Sequence, residues 1–313
     1  MKAVRLDGAR TLSVVDIPPP AAGPDEVLVR VAACGICGSD LSCYKTGMFA
    51  GSVLGHEISG TVEGSGARVV IDPKTPCGAC AQCASGASHR CVSALTQGIG
   101  QARQGGFAEL IAVPSSAVHA VPEGVDLVTA SLAEPLAVVL HGIGRATAGR
   151  CLVLGLGPIG LLAVAAVRAG TIVGVDPVPE RRALATALGA SDVFEPGAAA
   201  LHDLAPDLVL ECSGHPSAVV DAGNLAAPGA RVVLLGLPMG EAAVWPMVWV
   251  TKELTVAGSI AQTAEDFAAA LELLVRAPET GRIITRHVPL DGVPAAFEGL
   301  VTSPDAGKVA TRP

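Results

Sequence analysis

The sequence predicts an α/β chain in which a β-rich, turn-rich region is interrupted by a doubly wound parallel sheet. Two patterns lead to that fold class. Residues 1–60 alternate apolar and polar side chains over short runs, as in Val27-Leu28-Val29-Arg30-Val31. Those runs are broken at Pro18-Pro19-Pro20, Gly23-Pro24 and Gly35, the period and punctuation of half-buried strands joined by turns. The middle third instead alternates short β-branched runs with helical stretches, the order that builds a parallel sheet through crossover helices.

Along the chain, residues 66–121 continue the β-rich pattern, with strands predicted at 68–71 and 107–113 and a cysteine-bearing excursion between them. From 132 to about 147 the pattern turns helical despite Pro135, Gly142 and Gly144. Strands follow at 151–154, 171–175, 208–211 and 232–235, with helices at 161–169, 180–188 and 217–226. Thr263-Ala264-Glu265-Asp266 resembles an N-terminal helix cap, and Phe267, Leu271, Leu274 and Val275 follow at the spacing of one apolar helix face. From Gly281 short strands and turns return. The resulting division is 1–136, 137–260 and 261–313; no internal repeat or low-complexity linker is evident.

Composition narrows the function. Of 313 residues half are hydrophobic and 16% charged, which excludes an intrinsically disordered chain. A formal net charge of −8 without a basic stripe argues against nucleic-acid or anionic-membrane partners. The uncharged run 151–167 approaches the length of a membrane span. It contains Gly155, Gly157, Pro158 and Gly160 and stops at Arg168, which suits a strand, a glycine turn and a buried helix. The first ten residues lack the apolar stretch of a signal peptide, so a reducing, cytoplasmic setting without disulfides is expected.

Nine cysteines then carry information. Cys77, Cys80, Cys83 and Cys91 form a C-x-x-C-x-x-C array with a fourth cysteine close behind, spacing that turns four thiolates onto one zinc ion. A cluster of small buried side chains is the plain alternative, and iron–sulfur spacings differ. With four cysteines filling the cage, His89 is read as a surface residue of the lobe.

Gly155-Leu156-Gly157-Pro158-Ile159-Gly160 gives G-x-G-x-x-G directly after a strand and at a helix start, and Asp176 ends the next strand 21 residues after Gly155. Gly155 makes the tight turn, Gly157 admits a pyrophosphate to the backbone, and Gly160 allows close helix–strand packing. The helix N-terminus, at Pro158 and Ile159, offers unpaired N–H groups to phosphate. Asp176 accepts hydrogen bonds from ribose hydroxyls and repels a 2′-phosphate, which selects NAD over NADP. Arg181 and Arg182 follow closely; they either face the cofactor and soften that choice or form a solvated helix face.

Cys37, in Gly35-Ile36-Cys37-Gly38-Ser39-Asp40, lies outside the four-cysteine array. Gly55-His56-Glu57 and Ala133-Glu134-Pro135-Leu136 follow. Thiolate, imidazole and carboxylate from separate segments suit a three-ligand zinc site with an open position, although each residue also has a packing role available to it.

These motifs, in this order, resemble the zinc-dependent medium-chain dehydrogenases, most closely the polyol (sorbitol) and threonine dehydrogenase branch. The resemblance runs from Met1-Lys2-Ala3 to Gly307-Lys308-Val309. It implies a GroES-like catalytic domain with a structural-zinc lobe at about 76–92, interrupted by a Rossmann NAD domain. It further implies two zinc ions per chain and a homodimer or homotetramer. Cys37 and His56 become catalytic-zinc ligands. Glu57 and Glu134 share duty, one on the metal and the other holding a water, in an order left open. Asp40 orients the His56 ring, and Ser39 supplies the hydroxyl that takes the substrate proton. Zinc would act as a Lewis acid on the oxygen of an alcohol or ketone while hydride moves to or from the nicotinamide.

The chain also departs from the family. Many relatives carry a histidine five residues after the catalytic cysteine, where this chain has Ser42, so the final proton acceptor is open. The stretch between Glu57 and Arg68 is shortened, as are loops near Thr171 and Pro206, which is read as loss of surface turns. Tyr44, Met48 and Phe49 either line the substrate cleft or pack, and Trp245 and Trp249 in the run 242–250 are interface or core. The expected function is zinc- and NAD-dependent oxidation of a secondary alcohol: a polyol, a sugar-like ring or a hydroxy-amino compound. The alternatives are an NADPH-preferring carbonyl reductase, a nucleotide-responsive regulator acting through the zinc lobe, and a catalytically silent scaffold.

Overall fold

A computed structural model describes residues 1–144, 146–303 and 305–313. The chain forms two compact units, Met1–Glu134 with Thr263–Pro313, and Pro135–Gln262.

The first unit opens with the antiparallel pair β1 (Lys2–Gly8) and β2 (Thr11–Asp16). β3 (Glu26–Gly35) then leads through Ile36 and Cys37 into α1 (Gly38–Thr46). β4 (Glu57–Val62) and β5 (Arg68–Ile71) pair antiparallel. The shortened stretch between them is a tight turn, closed where the N–H of Val62 donates to Ala67 O and the N–H of Gly66 donates to Val62 O, both at 2.9 Å. The cysteine lobe carries the single-turn helices α2 (Ala81–Ala84) and α3 (Val92–Thr96). β6 (Leu110–Pro114), β7 (Val118–Ala120) and α4 (Leu127–Ala130) follow. α5 (Ala133–Ile143) leads the chain into the second unit at Pro135.

The second unit is a six-stranded parallel sheet. Its elements are β8 (Thr147–Leu154), α6 (Pro158–Ala166), β9 (Arg168–Val175), α7 (Pro179–Ala187), β10 (Asp192–Phe194), β11 (Leu208–Glu211), α8 (Pro216–Leu225), β12 (Arg231–Leu234), α9 (Pro246–Thr251) and β13 (Thr255–Gly258). The order across the sheet is β10-β9-β8-β11-β12-β13. Leu152, Leu154, Val173, Val175, Val209 and Val232 fill its core.

Several boundaries differ from those the sequence predicts. α6 begins at Pro158, not at residue 161, because proline presets helical φ and lacks an N–H that the first turn would leave unbonded. The helix is also shorter than expected: Arg168 and Ala169 are already strand. Likewise α5 ends at Ile143, and Thr147 opens β8. Within the run 242–250, Trp249 packs its indole nitrogen where a side chain on Gly223 would begin, whereas Trp245 is 64% exposed. Among the described residues no helix is long and apolar enough to cross a membrane.

The chain returns to the first unit through α10 (Ala264–Arg276), whose start is the predicted cap: Thr263 Oγ accepts the N–H of Asp266 at 3.2 Å, and Asp266 Oδ2 accepts the N–H of Thr263 at 2.9 Å. Phe267, Leu271 and Leu274 are buried but Val275 is 48% exposed. Eight residues of helix carry Val275 about 80° around from Phe267, to the margin of the apolar stripe. β14 (Ile284–Val288), α11 (Val293–Thr302) and β15 (Lys308–Thr311) complete the fold. The large sheet runs β14-β15-β3-β4-β5-β7, with β6 also on β3. Phe107 and Tyr44 both meet Phe297 edge to face, at 5.7 and 5.5 Å between centroids, in the middle of this unit's core.

Candidate metal centres and cofactor loop

A single buried carboxylate organises the entry to α1. Asp40 Oδ2 accepts the N–H of Cys37 at 2.9 Å, and Oδ1 accepts the N–H of Gly55 at 3.3 Å. The same Oδ1 lies 3.4 Å from His56 Nδ1. An acidic group three residues into a helix commonly bonds back to the capping residue; here it also fixes the imidazole and leaves Nε2 available. The thiol of Cys37, a ring nitrogen of His56 and a carboxylate oxygen of Glu57 come within 4.8 Å of one another. Glu134, at the start of α5, stands outside this group. It still senses the group's charge: burial pushes its carboxyl up to about 7, with His56 pulling it down and Glu57 pushing it up.

Lys308 completes the cluster, and the sequence reading passed over it. The register of β4 on β3 and of β3 on β15 places Glu57, Gly35 and Ala310 in one row. Lys308 lies two residues before Ala310 on the same strand, and Gly35 puts no side chain between lysine and glutamate. The ammonium donates to Glu57 Oε1 at 2.5 Å and to Ile36 O at 3.2 Å. A Cβ on Gly35 would fall 1.9 Å from Glu57 Oε2, so the carboxylate occupies space that only glycine leaves. Burial alone would lower the Lys308 ammonium, but Glu57 and then Cys37 outweigh it and raise its pKa.

These residues fit a zinc ion. Glu57 Oε2 is buried with no hydrogen-bond partner among the described residues, and an orphaned carboxylate oxygen beside a thiol and an imidazole is what a cation would satisfy. His56 agrees. Burial would lower its pKa, but Asp40 and then Cys37 raise it well above the usual imidazole value.

Near the cluster, Ser39 is partly exposed in the first turn of α1. Ser42, where relatives carry histidine, donates its hydroxyl to Gly38 O at 3.1 Å, bonded back onto its own helix. Tyr44 packs: its ring is buried on Phe297 and its hydroxyl donates to Glu298 Oε2 at 2.9 Å. Met48 is exposed.

In the lobe, one sulfur from each of Cys77, Cys80, Cys83 and Cys91 lies within 4.8 Å of the others. The N–H groups of Cys77 and Ala94 point at Cys91 and bring its thiol down to about 6, and those of Ala79 and Cys80 lower Cys77. Backbone donors thus favour the thiolate form that zinc requires at Cys77 and Cys91, whereas burial pushes the Cys83 thiol up to about 12. His89 is buried, contrary to the expected surface position. It sits on a short 3-10 turn, Ser88–Arg90, and accepts the Arg90 Nε–H at Nε2, 3.2 Å away.

The glycine loop joins β8 to α6. Gly155 has φ +87°, a conformation open to glycine, and a Cβ there would meet Ser213 Cβ at 2.6 Å. Gly160 is held closer still, since its Cβ would lie 1.8 Å from Gly155 O. Gly157 caps the helix, with Pro158 and Ile159 in its first turn. Asp176 is buried at the end of β9; Oδ2 accepts the N–H of Leu156 at 2.8 Å and Oδ1 that of Val178 at 2.9 Å. Neither arginine forms a solvated face. Arg181 Nη1 lies 3.6 Å from Asp176 Oδ2, while Arg182 donates to Asp176 O, Pro177 O and Glu195. A bare helix N-terminus beside a carboxylate-tipped strand fits a dinucleotide.

The family model described as an alcohol dehydrogenase GroES-like domain matches residues 23–123, and that of a zinc-binding dehydrogenase matches residues 155–276. The chain belongs to the zinc-dependent medium-chain dehydrogenase family. Among relatives, L-threonine 3-dehydrogenase of Bacillus subtilis (strain 168) is 34% identical over 267 residues, covering 76% of each chain. Sorbitol dehydrogenase of the same organism is 30% identical over 267 residues, 76% of this chain and 75% of that one. A zinc-binding dehydrogenase from Sinorhizobium meliloti 1021, solved bound to NADP, superposes with a TM-score of 0.90 at 34% identity, over 100% of this chain and 99% of that one. As a member of this family the protein is a zinc-dependent oxidoreductase acting on alcohols.

Proposed function

We propose that the protein oxidises a secondary alcohol of the polyol, sugar-like or hydroxy-amino class with NAD as acceptor. The grouping of Cys37, His56 and Glu57 around one point carries this reading. Cys37, His56 and Glu57 would hold zinc, which lends Lewis acidity at the substrate oxygen, and the glycine loop would hold the dinucleotide, whose nicotinamide accepts hydride. Asp40 keeps the His56 ring in one tautomer and anchors the backbone of Cys37. Lys308 offsets the negative charge gathered by Cys37 and Glu57. Ser39 takes the hydroxyl proton of the substrate. Because Ser42 is bonded to Gly38 O, the proton passes from Ser39 to solvent water without a side-chain relay.

Asp176 favours NAD, since its buried carboxylate repels a 2′-phosphate. Arg181, 3.6 Å from that carboxylate, favours the second reading, an NADP(H)-dependent carbonyl reductase, and the Sinorhizobium meliloti structure binds NADP. Steady-state assays of polyols, aminocyclitols, threonine and simple secondary alcohols with both cofactors decide between them, with zinc measured in parallel. We expect NADH formation with one of the first three classes, NAD preferred by roughly tenfold or more, and about two zinc ions per chain. A preference for NADP overturns the role given to Asp176, and about one zinc per chain means that one cluster does not hold metal.

The second unit also supports self-association as a dimer or tetramer. β13 ends the parallel sheet, and Met239, Trp245, Met247 and Val250 are exposed nearby in sequence, Val250 at 73%. Apolar side chains beside an unpaired strand edge favour pairing with a second copy. Light scattering after size exclusion is expected to give a multiple of the 31.2 kDa chain, and Trp245→Glu to shift it toward monomer. A monomeric wild-type protein refutes this.

A further inference from the structure

The second unit contains a buried carboxylate that the chemistry above does not use. Glu211 ends β11 and is fully buried. Its Oε1 accepts three hydrogen bonds: the N–H of Ser213 at 2.8 Å, the hydroxyl of Ser213 at 2.6 Å and the N–H of Gly214 at 2.9 Å. Its main-chain oxygen accepts the N–H groups of Leu235 and Gly236, at 2.8 and 2.9 Å. Among the described residues Oε2 has no hydrogen-bond partner, and a Cβ on Gly236 would come within 2.6 Å of it. In register, Glu211 stands beside Leu154 of β8 and Leu234 of β12. It therefore sits at the root of three successive loops at the carboxyl edge of the sheet. The middle loop touches the first, since Ser213 packs where a side chain on Gly155 would begin.

The strand order gives these loops a role. From β8 the sheet grows one way through β9 and β10 and the other way through β11, β12 and β13, so the order reverses between β8 and β11. A dinucleotide lies across that point. The glycine loop and Asp176 belong to the β8–β9 side, which takes the adenosine and pyrophosphate. The β11–β12 side is left for the nicotinamide riboside. We propose that Glu211 is a positioning residue for the nicotinamide half of the cofactor, acting through the Ser213–Gly214 turn that it ties and the Gly236 loop beside it. The proposal rests on the dinucleotide reading above. Without the carboxylate, three donors of the Ser213–Gly214 turn lose their acceptor and the turn relaxes toward water. The nicotinamide half then loses a preformed wall, while the adenosine half keeps its own groups.

Titration of the full-length protein with NADH, followed by nicotinamide fluorescence, and with AMP, followed by calorimetry, tests this split. We expect Glu211→Leu to weaken NADH roughly tenfold or more while AMP changes by no more than about twofold. Glu211→Gln keeps one oxygen for the three donors and is expected to recover most of the NADH affinity. Should the leucine variant not fold, Ser213→Ala decides: it removes the shortest of the three bonds and is expected to weaken NADH by roughly threefold and spare AMP. Unchanged NADH affinity, or a parallel loss of AMP, overturns the proposal, the latter by showing that Glu211 supports the whole unit. A wild-type protein that binds neither nucleotide overturns the dinucleotide reading, and the proposal with it.

Discussion

Replacement of Cys37 with serine is expected to lower turnover by roughly a thousandfold or more, equivalent to about 4 kcal/mol of transition-state stabilisation. Zinc content is expected to fall from about two to about one ion per chain. The two readouts belong together. A hydroxyl does not ionise near neutral pH and is a hard, weak donor where zinc favours thiolate, so the Cys37–His56–Glu57 group loses its strongest ligand. The four cysteines of the lobe are untouched by the change and keep their ion. Elemental analysis and kcat measured on the same preparation check both expectations. Unchanged turnover would remove the metal from the mechanism, and loss of both ions would mean that the change had unfolded the chain.

The second large effect concerns stability. In protein stripped of zinc, Lys308→Met leaves the carboxylate of Glu57 buried without a cation, and breaking a buried pair from one side costs about 3–5 kcal/mol. Urea unfolding of the two proteins side by side measures it. The double variant Lys308→Met/Glu57→Gln, with no bare charge, is expected to recover much of that loss, although its metal site is spoiled. The pH dependence has a definite sign. The folded-state pKa of Lys308 is raised, so its stabilisation is complete below the ordinary lysine range and disappears only as pH rises through the higher folded value. The gap between wild type and Lys308→Met should therefore stay level through roughly pH 6–9 and close only in strong alkali. A gap that closes near neutral pH would contradict an ion pair.

The parts of the structure legible in the sequence are those whose signal is local. β5 and β11 match runs of contiguous apolar residues that can be little else, and the glycine loop with Asp176 is one strand–turn–helix–strand unit read within a single window. The four cysteines of the lobe are likewise near neighbours in the chain. Cys37, His56 and Glu57 lie farther apart, and it was the family's order of motifs, more than spacing, that joined them. Lys308 gave no sign: a lone lysine near the C-terminus acquires meaning only when β15 is laid beside β3 and Gly35 leaves the way open to Glu57. Glu211 was hidden differently, since a glutamate ending an apolar strand resembles an ordinary solvated terminus until its burial is known. His89 was misplaced because cysteine spacing shows who can share an ion but not which neighbour the lobe encloses.

The long sequence separation of Glu57 and Lys308 bears on how the chain is made. The second unit is one continuous stretch, and its sequence is complete once Gln262 has been added. The first unit is split, and its buried glutamate waits for a lysine 251 residues later in the chain. During translation the early segment must therefore remain unfinished until the strand that carries Lys308 arrives. Assembly of the cluster thereby requires both pieces of the split unit to be present.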